Sequence, residues 1–209
     1  MDNIVIGLFW AIIGGFVGSL FTIFIQIFQK PKLDIIASPD AHSDNTYPYP
    51  HIQAGRWKFF RVLVLNKPVN KYLSSFIARE TAVQVNAFIT FRKLNQTMKG
   101  RWAGTLELVQ ANPADYIRII NFPDPINIFP GGIKEQLDVF TKKSTEKEAY
   151  GWNNEAYINN WRNPRLKLIP GDYIFDVTVT AIDGSQTKKS FKAHIANTIE
   201  KTYIHKIKK

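Results

Sequence analysis

His42 and His51 share one stretch with Asp40 and Asp44, and imidazoles beside carboxylates are the side chains that gather divalent metal ions. Their spacing matches no recognised ligand pattern, so solvated loop side chains are expected and no metal site is assigned. His194 and His205 stand apart, near the C-terminal end. The chain has no cysteine, which excludes thiolate catalysis, thiolate metal sites and a disulfide framework. It contains neither a Gly-x-Ser-x-Gly nucleophile motif nor a phosphate-cradling glycine loop. Pro130-Gly131-Gly132 and Asp183-Gly184 read instead as hairpin-type turns. The acidic residues are scattered, with no pair set for general acid–base work. These observations predict a protein that is not an enzyme and that has no catalytic residues and no cofactor.

Aromatic and basic residues offer other chemistry. Trp57, Trp102, Trp152 or Trp161, if exposed, would be stacking platforms for carbohydrate or envelope polymers outside the cytoplasm; packing in a core is the expectation for any one of them. Arg56-Trp57, Arg101-Trp102 and Trp161-Arg162 pair basic with aromatic residues, but nucleic-acid recognition needs clustered arginines on one face, so it is not expected. The net charge is +10, and Lys188, Lys189, Lys192, Lys201, Lys206, Lys208 and Lys209 crowd the end of the chain. On a tethered domain such lysines would favour anionic lipid, at about 1 kcal/mol for each one near the headgroups. Ile199, Tyr203 and Ile207 recur every four residues among them, the spacing of a short amphipathic helix, although a solvated terminus reads equally well.

Whatever these residues do is positioned by the stretch Ile4–Phe28, which is 25 residues long and carries no charge. A bilayer span needs about 20 apolar residues, so a single transmembrane helix is predicted. At roughly 100° per residue, Gly7, Ala11, Gly14, Gly15, Gly18, Ser19 and Thr22 fall on one arc, with Phe9, Trp10, Phe16, Phe21, Phe24 and Phe28 opposite. Gly14-x-x-x-Gly18 and the series Gly7, Ala11, Gly15, Ser19 follow the small-xxx-small pattern that lets helix backbones approach closely. The expected partners are therefore the lipid bilayer and another transmembrane helix, from a second copy or a different protein. Met1-Asp2-Asn3 lacks the basic region of a signal peptide, so the segment is expected to remain as an anchor. Lys30 and Lys32 follow the span while Asp2 precedes it, which places the C-terminal part in the cytoplasm.

Residues 31–195 read as one β-rich domain, with loop insertions near 38–56 and 141–163 and a basic tail at 196–209. Strands are predicted at Leu33–Ala37, Trp57–Leu65 and Thr81–Phe91, the last with Val83, Val85, Ala87, Ile89 and Phe91 on one face. Weaker strands fall at Trp102–Val109 and Tyr116–Asn121. Ile126–Phe129, the Pro130 turn and Gln136–Phe140 read as strand, turn, strand. Leu166–Ile169, Tyr173–Ala181 and Ser190–Ile195 follow, and a short helix is expected near Asn154–Trp161. Strands spaced by turns, without long amphipathic helices, predict a mainly β fold: a two-sheet sandwich behind one transmembrane helix.

Leu168-x-Pro170-Gly171-x-Tyr173, leading into Phe175-x-Val177-x-Val179, resembles the tyrosine corner of Greek-key immunoglobulin-like sandwiches. With Arg61-Val62-x-Val64-x-Asn66, Arg101-Trp102, Ile128-x-Pro130-Gly131, Leu137-Asp138-Val139-Phe140 and Gly151-Trp152-Asn153, the chain resembles a group of uncharacterised prokaryotic membrane-anchored proteins with an immunoglobulin-like domain. The resemblance implies the fold and supplies no catalytic or ligand-binding residue. The expected function is a non-catalytic binding or scaffold module in a membrane complex.

Overall fold

An apolar helix, α1 (Asp2–Gln29), leads into two antiparallel sheets in the computed structural model, which describes residues 2–47, 55–105, 112–121 and 123–207. The 28 residues of α1 extend roughly 42 Å, more than the ~30 Å of hydrocarbon in a bilayer. Val5–Gln29 is long and apolar enough to cross a membrane, and none of its most apolar window is covered by the other described residues. Pro31 ends the helix, because it brings no amide hydrogen and drives Lys30 out of helical geometry.

The first sheet is built on β3 (Gly55–Asn66). β1 (Leu33–Ala37) and β2 (Ser43–Tyr47) pair with successive halves of one edge, and β8 (Glu135–Lys143) takes the other. β6 (Arg101–Trp102) and β9 (Ala149–Gly151) pair with β8, and β10 (Lys167–Leu168) pairs with β9. In the second sheet β11 (Gly171–Thr180) lies between β4 (Ala82–Phe91) and β12 (Gln186–Ile195). β5 (Gln96–Lys99) and β7 (Ile126–Ile128) pair with β4, and β13 (Tyr203–Lys206) with β12. Alternation explains the shared core. Phe60, Val62 and Val64 point in from β3, and Ile89, Phe91, Phe175, Val177 and Phe191 meet them from the second sheet. Full burial of each such side chain contributes about 1.5–3 kcal/mol. The Phe60 and Phe140 rings stack at 4.6 Å within this core.

Several local expectations change. Gln84 adopts a positive φ of 49° where the β4–β7 register shifts, so Ala82 turns inward and Val83, expected inside, is exposed. Tyr116–Asn121 is a short helix, α2, not a strand: Asn112 accepts the Ala114 amide and Pro113 opens the turn. The Pro130 turn does not close a hairpin, because β7 pairs in the second sheet and β8 in the first; Asp183-Gly184 does join the paired strands β11 and β12. The expected loop 38–56 contains β2, and its residues 48–54 lie outside the described residues, as do 106–111 of the Trp102–Val109 prediction. The segment 141–163 contains the end of β8, then β9 and a 3₁₀ turn at Asn154–Tyr157. In the tail, Tyr203–Lys206 forms β13, neither the short helix nor the solvated terminus. Ile204 turns inward between Tyr203 and His205, and the Thr202 hydroxyl, accepting the Ala196 amide at 3.1 Å, closes the connection.

Candidate functional site

The small residues of α1 lie on open surface. Among the described residues, a Cβ built at Gly7, Gly14, Gly15 or Gly18 meets nothing within 4 Å, so their packing does not require glycine there. Ser19 donates its hydroxyl to the Gly15 carbonyl at 2.8 Å and Thr22 to the Gly18 carbonyl at 3.0 Å. These polar groups are satisfied within the helix, as an apolar medium demands. Ala11 sits on the same exposed face.

Where α1 ends, the domain grips it. The Glu80 amide donates to the Gln29 carbonyl at 2.7 Å, capping one of the carbonyls that a helix terminus leaves without an internal partner. The Arg79 guanidinium donates to the Lys30 carbonyl. Asn66, buried at the end of β3, organises the rest. Its side-chain oxygen accepts the Lys32 amide at 2.9 Å, and its amide group donates to the carbonyls of Glu80 at 2.8 Å and Ile128 at 3.2 Å. Its own carbonyl accepts the Gly131 amide at 3.0 Å. Beside it Asp34 is paired with Lys67 at 2.5 Å and with Lys189. Burial pushes the Asp34 carboxyl up, but hydrogen bonds from both lysines and the Ile35 amide outweigh it and hold the group below its usual range.

Three fragments that the resemblance rests on meet in one buried cluster. Arg61 Nε lies 2.6 Å from one Asp138 oxygen and Arg101 Nη1 lies 2.9 Å from the other, with Asp138 and Arg101 each 1% exposed. Arg61 also donates to Gln136 at 2.9 Å. At the β10–β11 crossing, Leu168 is buried, Gly171 has φ of 142°, and the buried Tyr173 hydroxyl makes a hydrogen bond with the Ile169 backbone.

The histidines are put to structural use. His42 packs on Phe60 at 5.0 Å, and its Nδ1 accepts the Arg61 amide at 3.2 Å. Burial, reinforced by Lys58 and Arg61, pushes its pKa down to about 4. His194 pairs with Asp172 at 2.8 Å, and Tyr203 lies between His194 and His205. His51 lies outside the described residues. Among the described residues no three His, Cys, Asp or Glu side chains gather as a metal site.

The tryptophans are not platforms. Trp57, Trp102, Trp152 and Trp161 are at most 3% exposed, which removes the stacking-platform reading. Three of them close a second cluster with Phe59 under Asn154–Tyr157, where Trp152 and Trp161 meet edge-on at 4.8 Å. Three of the crowded lysines, all on β12, are paired within the domain. Lys188 lies 3.7 Å from Asp176, Lys192 lies 2.6 Å from Asp172, and Lys189 pairs with Asp34.

Sequence reasoning did not single out Asn66, Arg79 or Glu80 as a junction. The only local signal was Asn66 closing an apolar strand before Lys67-Pro68; the rest depends on tertiary contacts. Comparison with protein-family models, curated proteins and solved structures finds no match.

Proposed function

We propose that the chain is a single-pass membrane protein whose immunoglobulin-like domain serves as a non-catalytic binding or scaffold module in a membrane complex. The observation that carries the reading is the junction: an apolar helix without intramolecular cover is hydrogen-bonded into the domain at Gln29, Lys30 and Lys32. A domain fixed this way turns with its helix, so contacts made within the bilayer orient the surface presented outside it. That suits an accessory subunit better than a module on a free linker. Support for the immunoglobulin-like identity comes from the β3–β4 and β10–β11 connections, which pass between sheets, with Tyr173 at the second crossing. Lys30 and Lys32, joined at this end by Lys67 and Arg79, favour a cytoplasmic domain.

Carbonate-washed native membranes are expected to retain the full-length protein, and its release would overturn the anchor. With Ser144→Cys, far from the anchor, an impermeant maleimide is expected to label only lysed cells; labelling of intact cells would reverse the orientation. Crosslinking in native membranes is expected to trap a discrete complex. A monomer at every crosslinker dose would remove the scaffold role.

A further inference from the structure

Three connections gather where α1 enters the domain, and together they expose five large apolar side chains. The β3–β4 connection carries Tyr72 and Phe76, which are 74% and 86% exposed. The β7–β8 connection carries Phe129 and Ile133, 63% and 84% exposed, and the β11–β12 turn carries Ile182, 69% exposed. Register places all three at one end. Leu33, the first residue of β1, lies opposite Asn66, the last of β3, while Ala82 pairs with Ile128 and Val64 with Glu135. Hydrogen bonds tie them together. Gly131 donates to the Asn66 carbonyl at 3.0 Å, Ile182 to the Val83 carbonyl at 3.1 Å, and Glu80 to the Gln29 carbonyl at 2.7 Å.

We propose that this end of the domain is a lipid-contact surface, seated in the headgroup layer of the bilayer that α1 spans. The inference rests on the membrane-anchor reading and goes beyond it. Continuity with α1 identifies the occupant. Phe28 is the last strongly apolar residue of the helix, and the very next carbonyl, that of Gln29, already accepts the Glu80 amide. No spacer lifts the connections away from the level at which the chain leaves the hydrocarbon. Phe, Tyr and Ile beside lysines is the composition of an interfacial surface, in which rings and aliphatic chains enter the acyl boundary while the ammonium groups reach phosphates. Lys71, whose Nζ lies 5.0 Å from the Tyr72 ring centre, and Lys134, next to Ile133, supply that charge. Lys30, Lys32 and Arg79 add to it, against Glu80, Glu135 and Asp183 at the same end, while Lys67 is paired with Asp34. This surface differs from the C-terminal lysines, three of which are engaged with aspartates of the domain.

The test uses the full-length, cysteine-free chain with one cysteine introduced at a time, Phe76→Cys, Ile133→Cys or, as a distant reference, Ser144→Cys. Each is coupled to a polarity-sensitive fluorophore and reconstituted into phosphatidylcholine vesicles containing phosphatidylglycerol. Flotation after a carbonate wash first reports whether α1 is inserted, so failure of the anchor is read separately. In the floated protein, labels at 76 and 133 are expected to shift to the blue. Lipids bearing a shallow nitroxide are expected to quench them several-fold more than the label at 144, which aqueous iodide should quench instead. A label at Ser75→Cys should lose its lipid quenching when Phe76→Ser and Ile133→Ser are introduced. Labels at 76 and 133 that behave as the one at 144 would overturn the proposal. Shielding from iodide without quenching by lipid would also overturn it, in favour of a protein on this surface.

Discussion

Asn66 accepts the Lys32 amide at 2.9 Å, so a side chain at the end of a central strand fixes the residue that follows the helix stop at Pro31. The same side chain holds the carbonyls of Glu80 and Ile128 and is itself buried. Asn66→Ala therefore leaves one donor and two acceptors without their partner. The expected cost is about 3 kcal/mol, because an unsatisfied buried group costs about 1–3 kcal/mol and water can reach part of this junction. Urea unfolding of the full-length protein in detergent checks it. A loss under about 0.5 kcal/mol, the range of an ordinary surface substitution, would show that other contacts hold the junction.

His42 gives stability a pH dependence of definite sign. Its folded pKa is about 4, against about 6.5 in an unfolded chain, so as pH falls the unfolded state takes up the proton first. Stability is then lost as pH drops from about 6.5 towards 4, by at most about 3 kcal/mol. Asp34 acts in the same sense, but in a lower pH range. Its lowered pKa contributes stability above the ordinary carboxylate range, which is lost only as pH falls below that range. The two windows are thus separate. His42→Gln keeps an acceptor for the Arg61 amide and is expected to flatten the stability profile between pH 6.5 and 4. An unchanged slope would mean that His42 is solvated in the folded protein.

Tyr173→Phe removes the hydroxyl that bonds the Ile169 backbone and leaves the ring in place between β11 and the core. The variant is expected to lose roughly 1–3 kcal/mol, the cost of an unpaired buried polar group. The denaturation midpoint should fall without a change of slope. A midpoint within error of the parent would show that Tyr173 contributes by packing alone.

Why some of this was legible in the sequence and some was not follows from the range of the interactions. Tyr173–Ala181 declares itself because burial on one face imposes a period of two on neighbouring residues, and Trp57–Leu65 because it is a short apolar and aromatic run stopped by Asn66-Lys67-Pro68. The helix is as plain, since 25 residues without a charge are long and apolar enough to cross a bilayer. Val83 misled because one bulge at Gln84 inverts the side chains that precede it in β4, and nothing in the alternation marks where a bulge falls. The tail misled because Ile199, Tyr203 and Ile207 fit a helical period, while Ile204, the residue that turns inward from β13, sits off that register. The junction was invisible for a different reason. Asn66, Arg79 and Glu80 act on Gln29, Lys30 and Lys32, more than thirty residues away in the chain, and hydrogen bonds at that distance leave no periodic trace.

The glycine face of α1 is where the proposed scaffold role is most exposed to failure. A tether needs only hydrophobicity, and leucine would serve it better than glycine, which weakens a helix by about 1 kcal/mol relative to alanine in water. Among the described residues nothing fills the space over Gly14 or Gly18, so their packing gives no reason for the small size. Within lipid, apolar burial does not favour one hydrocarbon neighbour over another, and association gains from backbones that approach closely. Gly14→Leu with Gly18→Leu is therefore expected to weaken association of α1 with itself or a partner span by about 1–2 kcal/mol, several-fold or more in a crosslinking yield. Phe16→Leu with Phe24→Leu, on the opposite arc, is expected to change it little. Both double variants keep the span apolar, and both are read at matched expression in a membrane two-hybrid or crosslinking assay. Equal signals from the two would reduce α1 to a tether, and the domain would then have to find its partner through its own surface.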